Sequence, residues 1–223
     1  MPTPLTDAPS HDHDHNHAHE AEAEPDHGCG QAAEADQVPA PHIWHSAAND
    51  AAIATVIADR LAQINPGQAD RYSENADRLV AQFGQIDSWI RAQVATVLAS
   101  QRKLVTTHEA FGYFAKAYGF EVKGALSGLS TDARPTPGDL TALVEQVKAA
   151  QVPAGFAEDT TNPELIEAAA KEAGVAVAKQ PLRVEGPGGP GSETETVQAM
   201  LVANTCTMVE ALSGRCDRAG APL

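Results

Sequence analysis

From Lys103 onward, short apolar runs alternate with stretches of helical periodicity, and this alternation restricts the fold more than any other feature of the chain. Strands separated by helices in this order make a parallel sheet with crossover helices. The spacing predicts strands over 103–107, 121–125, 154–157 and 175–179. Helices are expected over 111–118, over 136–150 behind Thr136-Pro137, and over 162–173 with an N-cap near Thr161 or Asn162. The Gly- and Pro-rich stretch 185–191 reads as a loop, and a last helix follows over 193–212. The expected fold class is α/β, a C-terminal lobe with a four-stranded parallel sheet flanked by helices.

Two helices precede this lobe. Ile53, Val56, Ile57, Leu61 and Ile64 recur at helical spacing until Asn65-Pro66-Gly67 stops the run. A longer helix is expected over 68–99, with Tyr72, Leu79, Phe83, Ile86, Ile90, Val94 and Val97 forming one apolar stripe. Its length suits a connector between parts. Ahead of both, residues 1–40 hold nine acids, no Lys or Arg and hardly an aliphatic side chain. Such a segment buries too little surface to offset its ordering entropy and is expected to be disordered. The sequence therefore divides into an acidic His-rich segment (1–40), a helical part with the connector (41–100) and an α/β lobe (101–223).

The acidic segment contains the tract HDHDHNHAHE, with His11, His13, His15, His17 and His19 at every second position. In an extended backbone, side chains two apart share a face at roughly 6–7 Å spacing. Neutral imidazole is a common ligand for zinc, copper and nickel, and Asp12, Asp14 and Glu20 add charge that attracts cations. A purification tag and a solvated low-complexity run are the plain alternatives.

The formal net charge is -15, of which the first 40 residues leave -6 for the remainder. No basic stripe exists to neutralise phosphates, so nucleic acid is not an expected partner. No apolar run approaches the roughly 20 residues that span a bilayer. The opening MPTPLTDAPS lacks the basic start and apolar core of a secretion signal, which leaves a cytosolic protein or one whose true N-terminus lies further upstream. The three cysteines, Cys29, Cys206 and Cys216, form no C-x-x-C pair and build no zinc ribbon. For Cys206 and Cys216 a disulfide in an oxidising compartment and two free thiols are both open.

In open parallel sheets, ligands bind beyond the carboxyl ends of the strands. His108 follows the first expected strand, Glu158 and Asp159 the third, and Glu185 opens the loop after the fourth. One imidazole and at least two carboxylates thus converge on one edge, a donor set suited to zinc or manganese. His42 and His45 stand at the entry to the first helix, and His45 is read as structural or accessory. A catalytic reading finds little support. His108-Glu109 begins like a metalloprotease helix, but Gly112 stands where the second His is required. There is no G-x-S-x-G turn and no Walker A loop, so an enzyme is not expected.

Pro41-His42-Ile43-Trp44, then Thr107-His108-Glu109-Ala110-Phe111-Gly112-Tyr113-Phe114, then Phe156-Ala157-Glu158 resemble motifs of the zinc- and manganese-binding solute-binding proteins of bacterial ABC transporters. The resemblance runs from about Pro41 to Leu212, through Leu126-Ser127-Gly128-Leu129-Ser130-Thr131-Asp132 and the loop from Val184-Glu185 to Gly191-Ser192. It implies two α/β lobes joined by a long rigid helix with a metal ion between them. It also implies that His42 and His108 are metal ligands, that Glu185 occupies an acidic ligand position, and that Glu158 completes the site as in manganese-type members. The His-rich tract resembles a loop that collects metal in zinc-type members. The implied protein is a monomeric, periplasmic or cell-surface component that passes zinc, or manganese, to a membrane permease. The alternative is a soluble His-rich zinc or nickel buffer without a transport role. The chain departs from the family at Ala40, at His45-Ser46-Ala47 where Leu-Asp-Pro is usual, and at Arg134 where an acid is common. In the resembled family a first lobe precedes the His-rich loop and supplies a further histidine, so an N-terminally incomplete member is expected.

Overall fold

The computed structural model describes residues 40–127, 136–160 and 162–223. The histidine tract, the stretch from Gly128 to Asp132 and Arg134 lie outside the described residues.

A single tight helical turn, Ile43–His45, leads into α1 (Ala47–Ile64), and a second turn at Pro66–Gln68 reverses the chain into α2 (Ala69–Val94). Then follow β1 (Lys103–His108), α3 (Gly112–Tyr118), β2 (Glu121–Ser127), α4 (Pro137–Ala150), β3 (Ala154–Gly155), α5 (Pro163–Ala173), β4 (Ala176–Val177) and α6 (Val197–Ala211). The element order is the expected one. The strands lie in two parallel pairs, β1 with β2 and β3 with β4, rather than in one continuous four-stranded ladder. The pairs are joined where Phe156 N–H donates to the Val105 carbonyl (2.9 Å), and a bridge from Glu158 to Leu182 continues the β3–β4 pairing. β3 and β4 are only two residues long, because Ala-rich segments offer few side chains for a pleated face to bury.

Both faces of β1 are covered, so burial is continuous from Leu104 to His108 although only Leu104 and Val105 are apolar. Leu104 joins a core with Ile86, Ile90, Phe111, Phe114, Leu201 and Met208, built from α2, α3 and α6. The next residue, Val105, points to the other face and packs with Leu143, Val144, Val147 and Ile166 of α4 and α5. Gly124 permits α4 to lie against β2, since a Cβ there would stand 2.5 Å from Gln146 Oε1. α5 is capped as expected: Asn162 Oδ1 accepts from Glu164 N–H (3.0 Å), Pro163 follows, and Gly174 ends the helix at φ 74°. α6 begins later than the sequence pattern suggests, at a Thr196 cap whose hydroxyl accepts from Ala199 N–H (3.1 Å).

The first two helices depart from the amphipathic reading. α1 packs along α2, yet most of its buried or half-buried side chains are alanines, Ala47, Ala51, Ala52, Ala54, Ala58 and Ala62, with Asn49, Asp50 and Ile53 beside them. Past half-buried Ile53 the aliphatic stripe faces outward, with Val56, Ile57 and Leu61 exposed and Ile64 80% exposed. Alanine lets two helix backbones approach closely, so the small face forms the seam. The α2 stripe divides likewise. Phe83, Ile86, Ile90 and Val94 are buried, whereas Leu79 and Val80 at its start are open. The helix also ends at Val94, several residues before the expected boundary, in a turn that leads to β1.

Cys206 and Cys216 form a disulfide, with Cα atoms 5.2 Å apart. It fastens the C-terminal segment to α6, and hydrogen bonds fix the same segment to α2: Trp89 Nε1–H to the Asp217 carbonyl (3.2 Å) and Asp217 N–H to Gln93 Oε1 (2.8 Å). Among the described residues no helix is long and apolar enough to cross a membrane.

Candidate metal centre

Three chain segments meet beyond the carboxyl end of β1. His42 precedes the turn at Ile43–His45 and is buried; His108 is the last residue of β1 and is fully buried. Glu185 follows Val184 at the start of the Gly-rich loop, and its side chain is 45% exposed. Its Oε1 lies 3.6 Å from His42 Nε2 and 3.8 Å from His108 Nε2. The two imidazoles stand edge to face with centroids 5.2 Å apart. One ligand atom from each of the three residues falls within 4.8 Å of the others. Ligand atoms around a tetrahedral zinc ion lie about 3.3 Å from one another, so this set needs only a small contraction to close on an ion.

Glu158, expected beside these residues, lies behind His108 instead. Its carboxylate accepts from the backbone N–H of His108 (3.3 Å) and, through Oε2, from His108 Nδ1–H. The Glu158 carboxylate therefore does not join the converging three. A histidine that donates through Nδ1 turns the lone pair of Nε2 outward, the arrangement commonly found behind metal-binding imidazoles. His108 Nε2 makes no hydrogen bond although it is buried. That orphaned acceptor faces Glu185, as a group awaiting a cation would.

The titration behaviour follows from burial. His42 is held below the usual imidazole range first by desolvation and then by the charge of His108, with Glu185 acting in the opposite sense. Its ring is thus neutral and open to a Lewis acid. Burial pushes the Glu158 carboxyl up, opposed by its hydrogen bonds to His108. His45, fully buried against Phe111, is driven down to about 3, chiefly by desolvation, and is neutral. Its Nε2 lies 3.1 Å from the Val184 carbonyl, and Trp44 Nε1–H reaches the same oxygen at 2.8 Å. Sequence reasoning gave neither residue this place, since nothing in the pattern links positions 44–45 to position 184. Asp159 binds Arg183 Nη1 (2.8 Å) and Val184 N–H (3.3 Å) and so is occupied in bracing the strand-like segment ahead of Glu185.

The same fold occurs in known metal-binding proteins. The periplasmic zinc-binding protein TroA from Treponema pallidum superposes with a TM-score of 0.74 at 28% identity, over 82% of this chain and 67% of that one. An Fe(III)-bound YtgA from Chlamydia trachomatis gives 0.73 at 25% identity, over 84% and 68%. In sequence, the chain is 32% identical over 173 residues to the manganese-binding lipoprotein MntA of Halalkalibacterium halodurans, covering 78% of this chain and 57% of that protein. It is 30% identical over 177 residues to the zinc-binding protein TroA of Treponema pallidum, with the same two coverages. The chain thus spans little more than half the length of these curated relatives. Residues 2–211 match the family described as zinc-uptake complex component A, periplasmic, and the chain belongs to that family.

Proposed function

We propose that the chain binds a divalent transition-metal ion, zinc foremost and manganese as the second choice, through His42, His108 and Glu185, and serves as the metal-capturing part of a solute-binding component of an ABC uptake transporter. Glu158 orients His108 in this reading. The observation that carries it is the buried, hydrogen-bond-free Nε2 of His108, aimed at Glu185 by a carboxylate behind the ring. Two nitrogens and one carboxylate oxygen leave a coordination position open, which suits an ion that must be taken up and passed on. The partner is a membrane permease, and the working form is a monomer. The division at residues 40 and 100, with a connector helix ahead of an α/β lobe, belongs to the same proposal. A periplasmic or cell-surface location is supported by the family description and by the Cys206–Cys216 disulfide, which persists in oxidising compartments.

His11, His13, His15, His17 and His19 act here as accessory capture groups for the main site. Zinc calorimetry on a chain with these five histidines changed to alanine tests the reading. The expected result is one remaining site, which His108→Ala then removes. If instead the tract substitutions abolish all binding, the chain is a His-rich buffer for zinc or nickel and the α/β lobe is only its scaffold.

A further inference from the structure

The Val184 carbonyl receives two side-chain donors from adjacent residues, Trp44 Nε1–H at 2.8 Å and His45 Nε2–H at 3.1 Å. The donors stand two and three positions after His42, and the acceptor stands immediately before Glu185. Two of the three converging residues are therefore linked by a pair of hydrogen bonds on one oxygen. The segment is held from its other side as well. Val184 N–H donates to Asp159 Oδ1 (3.3 Å), and Asn204 bonds both the N–H (2.8 Å) and the carbonyl (2.7 Å) of Arg183. Beyond Glu185 the restraint ends at Gly186, whose φ of 143° side chains rarely tolerate.

His45 is an expensive way to fill its position. An aliphatic side chain there would rest on Phe111 without desolvating a polar ring. Here the imidazole is fully buried, its centroid is 4.4 Å from that of Phe111, and its Nδ1 makes no hydrogen bond. A buried polar atom without a partner is destabilising. What the ring gains in return is the bond to Val184.

We propose that His45, together with Trp44, is a positioning residue that clamps the Val184 carbonyl and thereby sets where the Glu185 carboxylate stands relative to His42 and His108. The inference rests on the metal site proposed above. It assigns the clamp a role in affinity and ligand geometry rather than in folding, because replacing His45 by an apolar side chain relieves a burial cost while releasing Glu185.

The test uses the full chain with the five tract histidines changed to alanine, titrated with zinc by calorimetry and with cobalt(II) by visible absorption. His45→Leu is expected to bind zinc about 10-fold more weakly, the lower end of the effect of removing groups that orient metal ligands, and to shift the cobalt bands. Its melting temperature should not fall. His45→Gln, which returns an N–H donor near the Nε2 position, should restore affinity and spectrum. Trp44→Phe removes the other donor and should weaken binding in the same direction, which keeps the test decisive if His45→Leu folds poorly. Unchanged zinc affinity in His45→Leu or, failing its folding, in Trp44→Phe overturns the clamp. So does a loss that His45→Gln leaves unrepaired. His108→Ala separates the two levels: if it leaves zinc binding intact, the site itself is misassigned; if it abolishes binding while the clamp variants bind normally, the site stands and the clamp falls.

Discussion

Glu158 accepts a hydrogen bond from His108 Nδ1–H with both side chains sealed from solvent, so the carboxylate fixes the tautomer and the direction of the imidazole. Glu158→Gln keeps the shape of the side chain and removes its charge. Zinc affinity should drop about 10-fold or more, as it does when a carboxylate behind a ligating histidine is lost. Isothermal titration compared with the parent chain checks this, and equal affinities would show that His108 needs no such support.

The Cys206–Cys216 disulfide closes a loop with a sequence separation of 10 residues and ties the C-terminal segment to α6. Loop-closure entropy for a ring of this size is worth about 2–3 kcal/mol. Thermal unfolding in the presence of a reductant, or of Cys216→Ser, should show a melting temperature about 5–10 °C lower. A chain that melts at the same temperature reduced and oxidised would contradict this estimate.

Asp50 in α1 is buried, its Oδ2 makes no hydrogen bond, and desolvation pushes its carboxyl up to about 8 from an ordinary value of 3.8. Because the folded chain keeps this proton longer than the unfolded chain, the stability Asp50 contributes is fully present below pH 4. It is lost as pH rises through the window from about 4 to 8. Asp50→Asn removes that slope. Its advantage over the parent should be near zero at pH 4 and grow to at most about 6 kcal/mol above pH 8. Urea denaturation across a pH series measures the difference, and a constant offset at all pH values would refute the burial argument.

The inverted packing of α1 makes opposite forecasts for its two faces. Ile64→Ser, at a position 80% exposed, should change stability by less than about 0.5 kcal/mol. Ala58→Leu, on the buried side toward α2, should cost about 1–3 kcal/mol through overpacking. Denaturant midpoints for the two variants decide between this packing and one in which the aliphatic stripe is the core.

The order of elements in the α/β lobe was legible because short segments rich in β-branched and apolar residues, such as Leu104-Val105-Thr106-Thr107 in β1, alternate with stretches of helical periodicity. Helix caps such as Asn162-Pro163 announce themselves through local hydrogen bonding, which nearby residues determine. The orientation of α1 was not legible. Periodicity finds an amphipathic face but assumes that the larger aliphatic side chains are the buried ones, and alanine, which made the seam with α2, carries little hydropathic signal. β3 and β4 were placed correctly and drawn too long, since Ala and Val runs do not mark where pairing stops.

Of the three residues that converge, strand ends pointed to His108 and Glu185, and the family motif pointed to His42. The placing of Glu158 behind His108 depends on the crossing of two strands 50 positions apart in the chain, and no spacing rule supplies that. The role of His45 is hidden from the sequence for a similar reason. Its meaning lies in a carbonyl 139 positions away.

The three converging side chains differ in how far they can move. His42 and His108 are locked in the interior, whereas the Glu185 side chain is 45% exposed and is followed by Gly186. Exposed side chains change rotamer in picoseconds to nanoseconds, far faster than backbone segments open. An ion seated on the two imidazoles would therefore be retained or surrendered by the swing of a single carboxylate. In the proposed site, the speed of unloading would then depend on how firmly that one side chain is held.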